Sequence, residues 1–482
     1  MDRLVFGYGT SGHGGGAPSR PGVRVAIDDR PPAPQTSRRE TERRDWAFVG
    51  LMVFTGLLFF RPQDMFTPLR MFHLAELAAI FALAALVIGR LSRGLPVTRI
   101  TPELLGVFAF AGVMLMTAPF SIWMGGVIGT FSDMYAKVIL IFLLMVNTLT
   151  SPRRIEQFTW LLVIASGYIA GRAVLDYARG INLIENGRVQ GAVGGMFRNP
   201  NDLALNMVSI LPLALLLALR PYPVSRRLAA AACGLLMLAT TVFTQSRSGF
   251  LSLAVILAVL AGFLLRRRPG LVFAGVLVAV LAIPALPSSY IQRIASITNE
   301  ELDQTGSREA RSILMREAFD VFKAHPFTGV GAGQFKNYNP DGREEAWRET
   351  HNVVLQVGSE LGVFGLLVWG FLIVRAASAP IQTCNLLRRV SRPPRGSAAT
   401  SPVPVTPGEV EMLQTHAIAI GAGLLGWFVS ALFGSVAYHW TFYYLLALAV
   451  TPREYLQGRI SAARSPHRLV AVRAPKAVGV HV

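Results

Sequence analysis

The chain has 482 residues, of which 52% are hydrophobic and 15% charged, and a formal net charge of +18. That apolar fraction is too high, and the charged fraction too low, for an ordinary soluble domain, so the composition points to an integral membrane protein. Its basic residues are scattered in short turns such as Arg266-Arg267-Arg268-Pro269 rather than gathered into a patch, which argues against a nucleic-acid partner.

In chain order, residues 1–44 contain Gly14-Gly15-Gly16 and Pro31-Pro32-Ala33-Pro34 but no apolar stretch of the kind a cleavable signal carries. They are expected to form a disordered cytoplasmic extension. Residues 45–451 are expected to be the transmembrane domain. Twelve apolar segments recur there, at about 46–60, 71–89, 103–121, 134–150, 156–173, 201–219, 228–244, 248–265, 270–286, 352–374, 413–433 and 438–450. They approach the roughly 20 residues a helix needs to cross a bilayer. They are continuous rather than alternating, so an all-α bundle of about twelve transmembrane helices is expected in preference to a barrel.

With a cytoplasmic N-terminus, 30 of the 46 lysines and arginines fall in predicted inner segments. Both termini are therefore placed in the cytoplasm. Long outer loops are expected at about 176–200 and 288–351, an inner linker at about 376–412 and a basic inner tail at 452–482. Cys233 lies in an apolar run and Cys384 in an inner segment, so neither a disulfide framework nor a zinc site is expected.

Three outer elements carry more than simple crossing requires. The first ends in Gly194-Gly195-Met196-Phe197-Arg198-Asn199-Pro200-Asn201-Asp202, just before a helix. Exposed amides at a helix start favour anions, and Arg198 adds a cation there; the competing reading is a capped turn. The second is Thr244-Gln245-Ser246-Arg247-Ser248-Gly249, a short connection that leaves Arg247 at the outer boundary. A charge at that depth is costly unless paired or used, and a guanidinium suits phosphate; the alternative is a snorkelling arginine.

The third is the long loop, whose Ser307–Ala324 stretch sets Ala310, Ile313, Leu314, Ala318, Val321 and Phe322 at helical spacing. An amphipathic helix is expected there, along the membrane or over the bundle mouth, with Arg308 in its first turn. His325-Pro326 and Gly329-Val330-Gly331-Ala332-Gly333 end it, and His351 precedes the next span. Glu360 shares a helical face with Asn352 and Gln356 and is expected to pair with an arginine, orient the site, or serve structure alone.

Taken together, Phe197–Asp202, Thr244–Gly249, Gly306-Ser307-Arg308, His325–Gly331, Thr350-His351-Asn352 and Glu360-Leu361-Gly362 resemble the bacterial O-antigen ligase and O-antigen polymerase family. The resemblance covers about residues 190–375. It implies a GT-C-like glycosyltransferase of the bacterial inner membrane that takes a glycan from undecaprenyl diphosphate at the periplasmic face. The acceptor would be a hydroxyl of lipid A core, another glycolipid, a glycan or a protein. It implies no metal and no cofactor. Carried over by position, His351, Arg247 and Arg308 match the family's essential residues. Arg198, Arg247 and Arg308 would bind the diphosphate, and Asn352 and Glu360 would support the site.

Chemistry gives the same assignment: the leaving diphosphate needs fixed cations, and a base of pKa near 6.5 could take the acceptor proton, with inversion by backside attack. His351 could instead only position substrate. The rivals are a polymerase of the same family and, from another class, a transporter or lipid flippase, which should carry mid-membrane charge and broken helices.

Overall fold

The computed structural model describes residues 45–184, 187–192, 195–297, 307–339, 347–391 and 405–464. The expected N-terminal extension, residues 392–404 of the inner linker and the end of the basic tail lie outside these residues. Sixteen α-helices account for most of the described chain. They are α1 (Trp46–Phe60), α2 (Pro62–Met65), α3 (Leu74–Leu91), α4 (Pro102–Thr117), α5 (Met124–Thr130), α6 (Ala136–Thr148), α7 (Pro152–Arg179), α8 (Pro200–Ala218), α9 (Val224–Phe243), α10 (Arg247–Leu265), α11 (Pro269–Ala282), α12 (Ser288–Ala295), α13 (Ser307–Ala324), α14 (Val353–Val390), α15 (Pro407–Ala431) and α16 (Trp440–Arg464). Strands β1 (Leu183–Ile184) and β2 (Arg188–Val189) pair as a short antiparallel hairpin.

Each of the twelve apolar segments coincides with a helix. Among the described residues, nine helices or continuous helical rods are long and apolar enough to cross a membrane, and α1 and α11 are shorter apolar helices. This is an all-α polytopic membrane protein. The helix starts follow from local chemistry: Thr101, Ser151 and Asn199 each cap a helix whose next residue is proline. Their side chains satisfy amides that the first turn leaves open, and proline there sacrifices no hydrogen bond. Thr406 and Glu409 close a reciprocal capping box on α15.

Two boundaries differ from the sequence expectation. The inner linker drawn at 376–412 is largely helical, because α14 continues to Val390 and α15 begins at Pro407. The tail drawn from 452 starts as helix, since α16 runs to Arg464. Polar and basic side chains do not by themselves end a helix, which needs a cap or a backbone constraint to stop.

The most enclosed span is α8, packed against α7, α9, α10 and α15, with 78% of its apolar window buried. The reverse holds for α11, which has no buried residue and so presents its surface to lipid. At one end of the bundle, Glu103 on α4 is fully buried and binds Arg453 through both carboxylate oxygens at 2.9 Å and Arg375 at 2.6 Å. At the opposite end lie the starts of α8, α10, α14 and α16.

Candidate active site

Helix α14 is interrupted nine residues in. Gly362 has φ 64° and ψ −161°, so the helical ladder fails on either side of it. The freed groups are taken up by the segment that follows α13. Val330 N–H donates to Ser359 O and Gly331 N–H to Glu360 O, both at 2.9 Å, while Val363 N–H donates to Pro326 O at 2.8 Å. Buried backbone groups must find partners, and here a glycine-rich loop supplies them. Gly329 has φ 62°, and a Cβ there would lie 2.2 Å from the Glu360 carbonyl carbon. Only glycine allows that approach.

The face of α14 bearing Asn352, Gln356 and Glu360 grips the loop between α15 and α16. Asn352 Nδ2 donates to Leu432 O at 3.1 Å, Gln356 Oε1 accepts from Ala437 N at 3.1 Å, and Glu360 Oε2 accepts from the Tyr438 hydroxyl at 2.8 Å. Glu360 also accepts from the amides of Gly333 and Phe335. Its partners among the described residues are thus amides and a phenol, and the expected pairing with an arginine is replaced by a structural clasp. Helix α13 has the expected limits. Leu314, Ala318 and Val321 are buried in one cluster with Val330 and Phe335, so the helix is docked on this assembly.

His351 stands at the rim of that clasp. Its amide donates to Ser435 Oγ at 3.1 Å, Thr350 Oγ1 lies 2.9 Å from the same oxygen, and its φ is 50°. The side chain lines a cleft of about 670 Å³. The other walls come from the end of α1 (Leu58, Arg61), the junction of α5 and α6 (Asp133, Met134, Lys137), the start of α8 (Phe197, Asn199, Asp202), the residues before α14 (Arg348, Glu349) and the start of α16 (His439, Trp440).

The α5–α6 junction is a π-helical turn, Phe131–Tyr135, which rotates Asp133 and Lys137 relative to a regular helix. Burial, together with the charges of Arg311 and Arg348, pushes the His351 imidazole down to about 4. Burial raises the Glu349 carboxyl, against the opposing pull of Lys336. The cleft therefore offers three cations, three carboxyl groups and two imidazoles.

Other expected site residues are placed differently. Arg247 is the first residue of α10, half-buried, and its Nε donates to Arg293 O at 3.3 Å; it is at the same end of the bundle but does not line the His351 cleft. It is joined to the cleft wall indirectly. Ser246 Oγ donates to Asn201 Oδ1 at 3.0 Å, and Asn201 adjoins Asp202. The buried Arg188, on β2, fixes this corner through Thr244 O at 3.0 Å and Asn201 Oδ1 at 2.9 Å. Arg198 is exposed beside Phe197 on the cleft's flank. Arg308 begins α13, and its side chain lies outside the described residues.

Sequence reasoning missed Arg61, Lys137, Arg348, Glu349, His439 and Trp440. Lys137 carried a usable signal, being a cation inside a predicted span. Among the described residues no cluster of histidine, cysteine or acidic side chains has the arrangement to hold a metal ion.

Residues 232–370 match the sequence model of a family described as O-antigen ligase. This segment carries the likeness to the O-antigen ligase family. The match spans Arg247, Arg308, His351, Asn352 and Glu360, whereas Arg61, Lys137, Asp202 and His439 complete the cleft from outside it. No curated protein matches the chain at a significant level. An O-antigen ligase or polymerase type of membrane enzyme is the function class that the matched domain and the helical bundle support.

Proposed function

We propose that this protein transfers a glycan from a polyprenyl diphosphate, of the undecaprenyl kind, to an acceptor hydroxyl at the outer face of the bacterial inner membrane. The observation that carries the reading is the cleft in which His351 faces walls bearing Arg61, Lys137 and Arg348. A departing diphosphate accumulates negative charge, and fixed cations in a partly dehydrated cleft stabilise it without reorganising. Arg198 and Arg247 flank the cleft and Arg308 opens α13. Their task is to draw the anionic headgroup in and hold its surroundings.

In the reaction, the acceptor oxygen forms a bond to the anomeric carbon while the bond from that carbon to the diphosphate oxygen breaks, its electron pair leaving with the diphosphate. The acceptor proton passes to the neutral His351 imidazole. Attack from the side opposite the leaving group inverts the anomeric configuration. The carboxylates of Asp202 and Glu349 are suited to sugar hydroxyls. A lipid A core or similar glycolipid is the expected acceptor, and a lipid-linked glycan in its place would make the enzyme a polymerase.

The test is transfer by the purified protein in lipid nanodiscs, with a lipid-diphosphate glycan donor. His351→Ala should lower the rate by about 10²–10⁴-fold, as loss of a general base does, with abundance and melting temperature retained. His351→Asn is the companion variant, because asparagine tolerates the positive φ. Normal product from both variants would remove His351 from the chemistry.

A further inference from the structure

A second hollow lies at the end of the bundle opposite the cleft, where α8, α10 and α15 come together. Its volume is about 80 Å³, and its walls carry Arg220, which follows α8, with Arg267 and Arg268 from the turn between α10 and α11. Leu216, Leu219, Phe263 and Leu264 make much of the remaining lining apolar. Two of the guanidinium groups are fixed against that apolar lining. Arg267 Cζ sits 4.7 Å from the centroid of the Phe263 ring, and Arg268 Nη1 donates to Leu219 O at 3.2 Å.

A guanidinium carries five N–H donors in one plane. Packing over a ring face uses none of them, because they point outward from the edge of that plane, and Arg268 commits one to Leu219 O. Among the described residues neither Arg267 nor Arg268 has a carboxylate in ion-pair range, whereas Arg220 has Glu156 at 3.8 Å. Glu411 also lines the hollow, so three positive charges meet two negative ones and a positive excess remains.

Basic residues collect at such an end because they resist translocation, a bias that asks only for exposure to water. It does not bring cations from two separate helix ends onto one hollow with an apolar lining. A phospholipid headgroup matches that combination. Its phosphodiester takes the open guanidinium donors and neutralises the excess charge, while the glycerol and the first acyl carbons meet leucine and phenylalanine. A free phosphate would leave the apolar lining without a partner.

We propose that this hollow binds an anionic phospholipid, of the phosphatidylglycerol kind, from the leaflet at that end of the bundle, with Arg267 and Arg268 holding its phosphate. The bound lipid joins the ends of α8, α10 and α15. The site is independent of the glycan-transfer reading, since none of its residues lines the His351 cleft.

The experiment titrates the full-length protein, in a neutral maltoside detergent, with phosphatidylglycerol, with zwitterionic phosphatidylcholine and with inorganic phosphate. Binding is read by native mass spectrometry and by melting temperature. Phosphatidylglycerol should fill one saturable site and raise the melting temperature, as a ligand of the folded state does. Phosphatidylcholine should bind there about fivefold more weakly, and inorganic phosphate should not compete. Arg267→Gln, at an exposed position, and Arg268→Gln should each weaken phosphatidylglycerol by about fivefold, the worth of one basic side chain beside an anionic headgroup. Thr415→Phe fills the hollow without altering its charge and should remove the saturable site. Arg153→Gln, an exposed arginine at the same end but not on the hollow, should have no effect.

Equal losses in Arg153→Gln and Arg267→Gln would reduce the effect to diffuse attraction by a basic surface and overturn the site. Unchanged affinity in Arg267→Gln, Arg268→Gln and Thr415→Phe would overturn it as well. Inorganic phosphate binding as tightly as phosphatidylglycerol would overturn the lipid and leave a soluble phosphate ligand in its place.

Discussion

His351 occupies the left-handed backbone region with φ 50°, and Arg61 and Gln245, at neighbouring turns of the same bundle end, have φ 44° and 49°. For side chains other than glycine and asparagine such conformations cost on the order of 1 kcal/mol or more and persist only where surroundings impose them. Ser435 and Thr350 impose it at His351. The imidazole is depressed to about 4 by burial first and by Arg311 and Arg348 second.

A base must be unprotonated to act, so the acid limb of kcat/KM for transfer should lie well below the 6.5 of an ordinary histidine. Arg348→Gln removes one of the depressing charges and should move that limb upward. A limb that stays near 6.5 in wild type would contradict the burial of the imidazole. The stability linkage has the matching sign. The unfolded chain binds the proton below about 6.5 and the folded chain only near 4, so this residue's contribution is present above 6.5 and is lost as pH falls towards 4. Of the residues lining the cleft, His351 was legible because it sits at the edge of an apolar run. His439 was not, because a histidine at a span boundary looks the same whether or not its nitrogen has a partner.

At the scale of elements, the determining feature is the exchange of hydrogen bonds at the break in α14. Gly362 frees the carbonyls of Ser359 and Glu360 and the amide of Val363, and the loop after α13 takes up all three. A Cβ at Gly362 would lie 2.5 Å from the Phe327 carbonyl carbon, in a backbone conformation that L-residues avoid. Gly362→Ala should therefore cost about 1–3 kcal/mol locally and detach the loop, measured as faster hydrogen exchange at Val330 and Gly331. Unchanged exchange would show that the break does not depend on glycine.

The sequence made α13 legible through its apolar spacing and gave the shared face of Asn352, Gln356 and Glu360 through a period of four. What that face holds was not legible. The partners Leu432, Ala437 and Tyr438 lie about 80 residues away, and no local pattern encodes such a pairing.

Across the whole molecule, charge is divided between two ends. Helix order places the ends bearing Arg90, Arg153, Arg227, Arg268 and Arg388 together, opposite the cleft, and basic residues resist translocation. Reporter fusions after Arg464 should therefore behave as cytoplasmic, and fusions in the β1–β2 hairpin as periplasmic; the reverse pattern would turn the cleft inward and end the proposed reaction. The Glu103, Arg375 and Arg453 cluster fastens α4, α14 and α16 at the end opposite the cleft. Glu103→Gln would leave the buried Arg453 and the half-buried Arg375 short of a counter-charge and should cost about 3–5 kcal/mol, read as a lower melting temperature in detergent. No loss would mean the arginines reach water or Glu454 instead.

Taken by itself, the sequence determined the solvent of this protein and the order of its apolar helices. These follow from local hydropathy, capping residues and the cost of moving cations across lipid, all of which act on residues near in sequence. Only the tertiary structure decided which side chains share a cleft. It drew Arg61, Lys137, Asp202, Arg348, His351 and His439 from five separate helix ends into one wall and left Arg247 behind it. Convergence of that kind depends on how helices pack and where their axes end, and packing is settled by contacts between residues hundreds of positions apart.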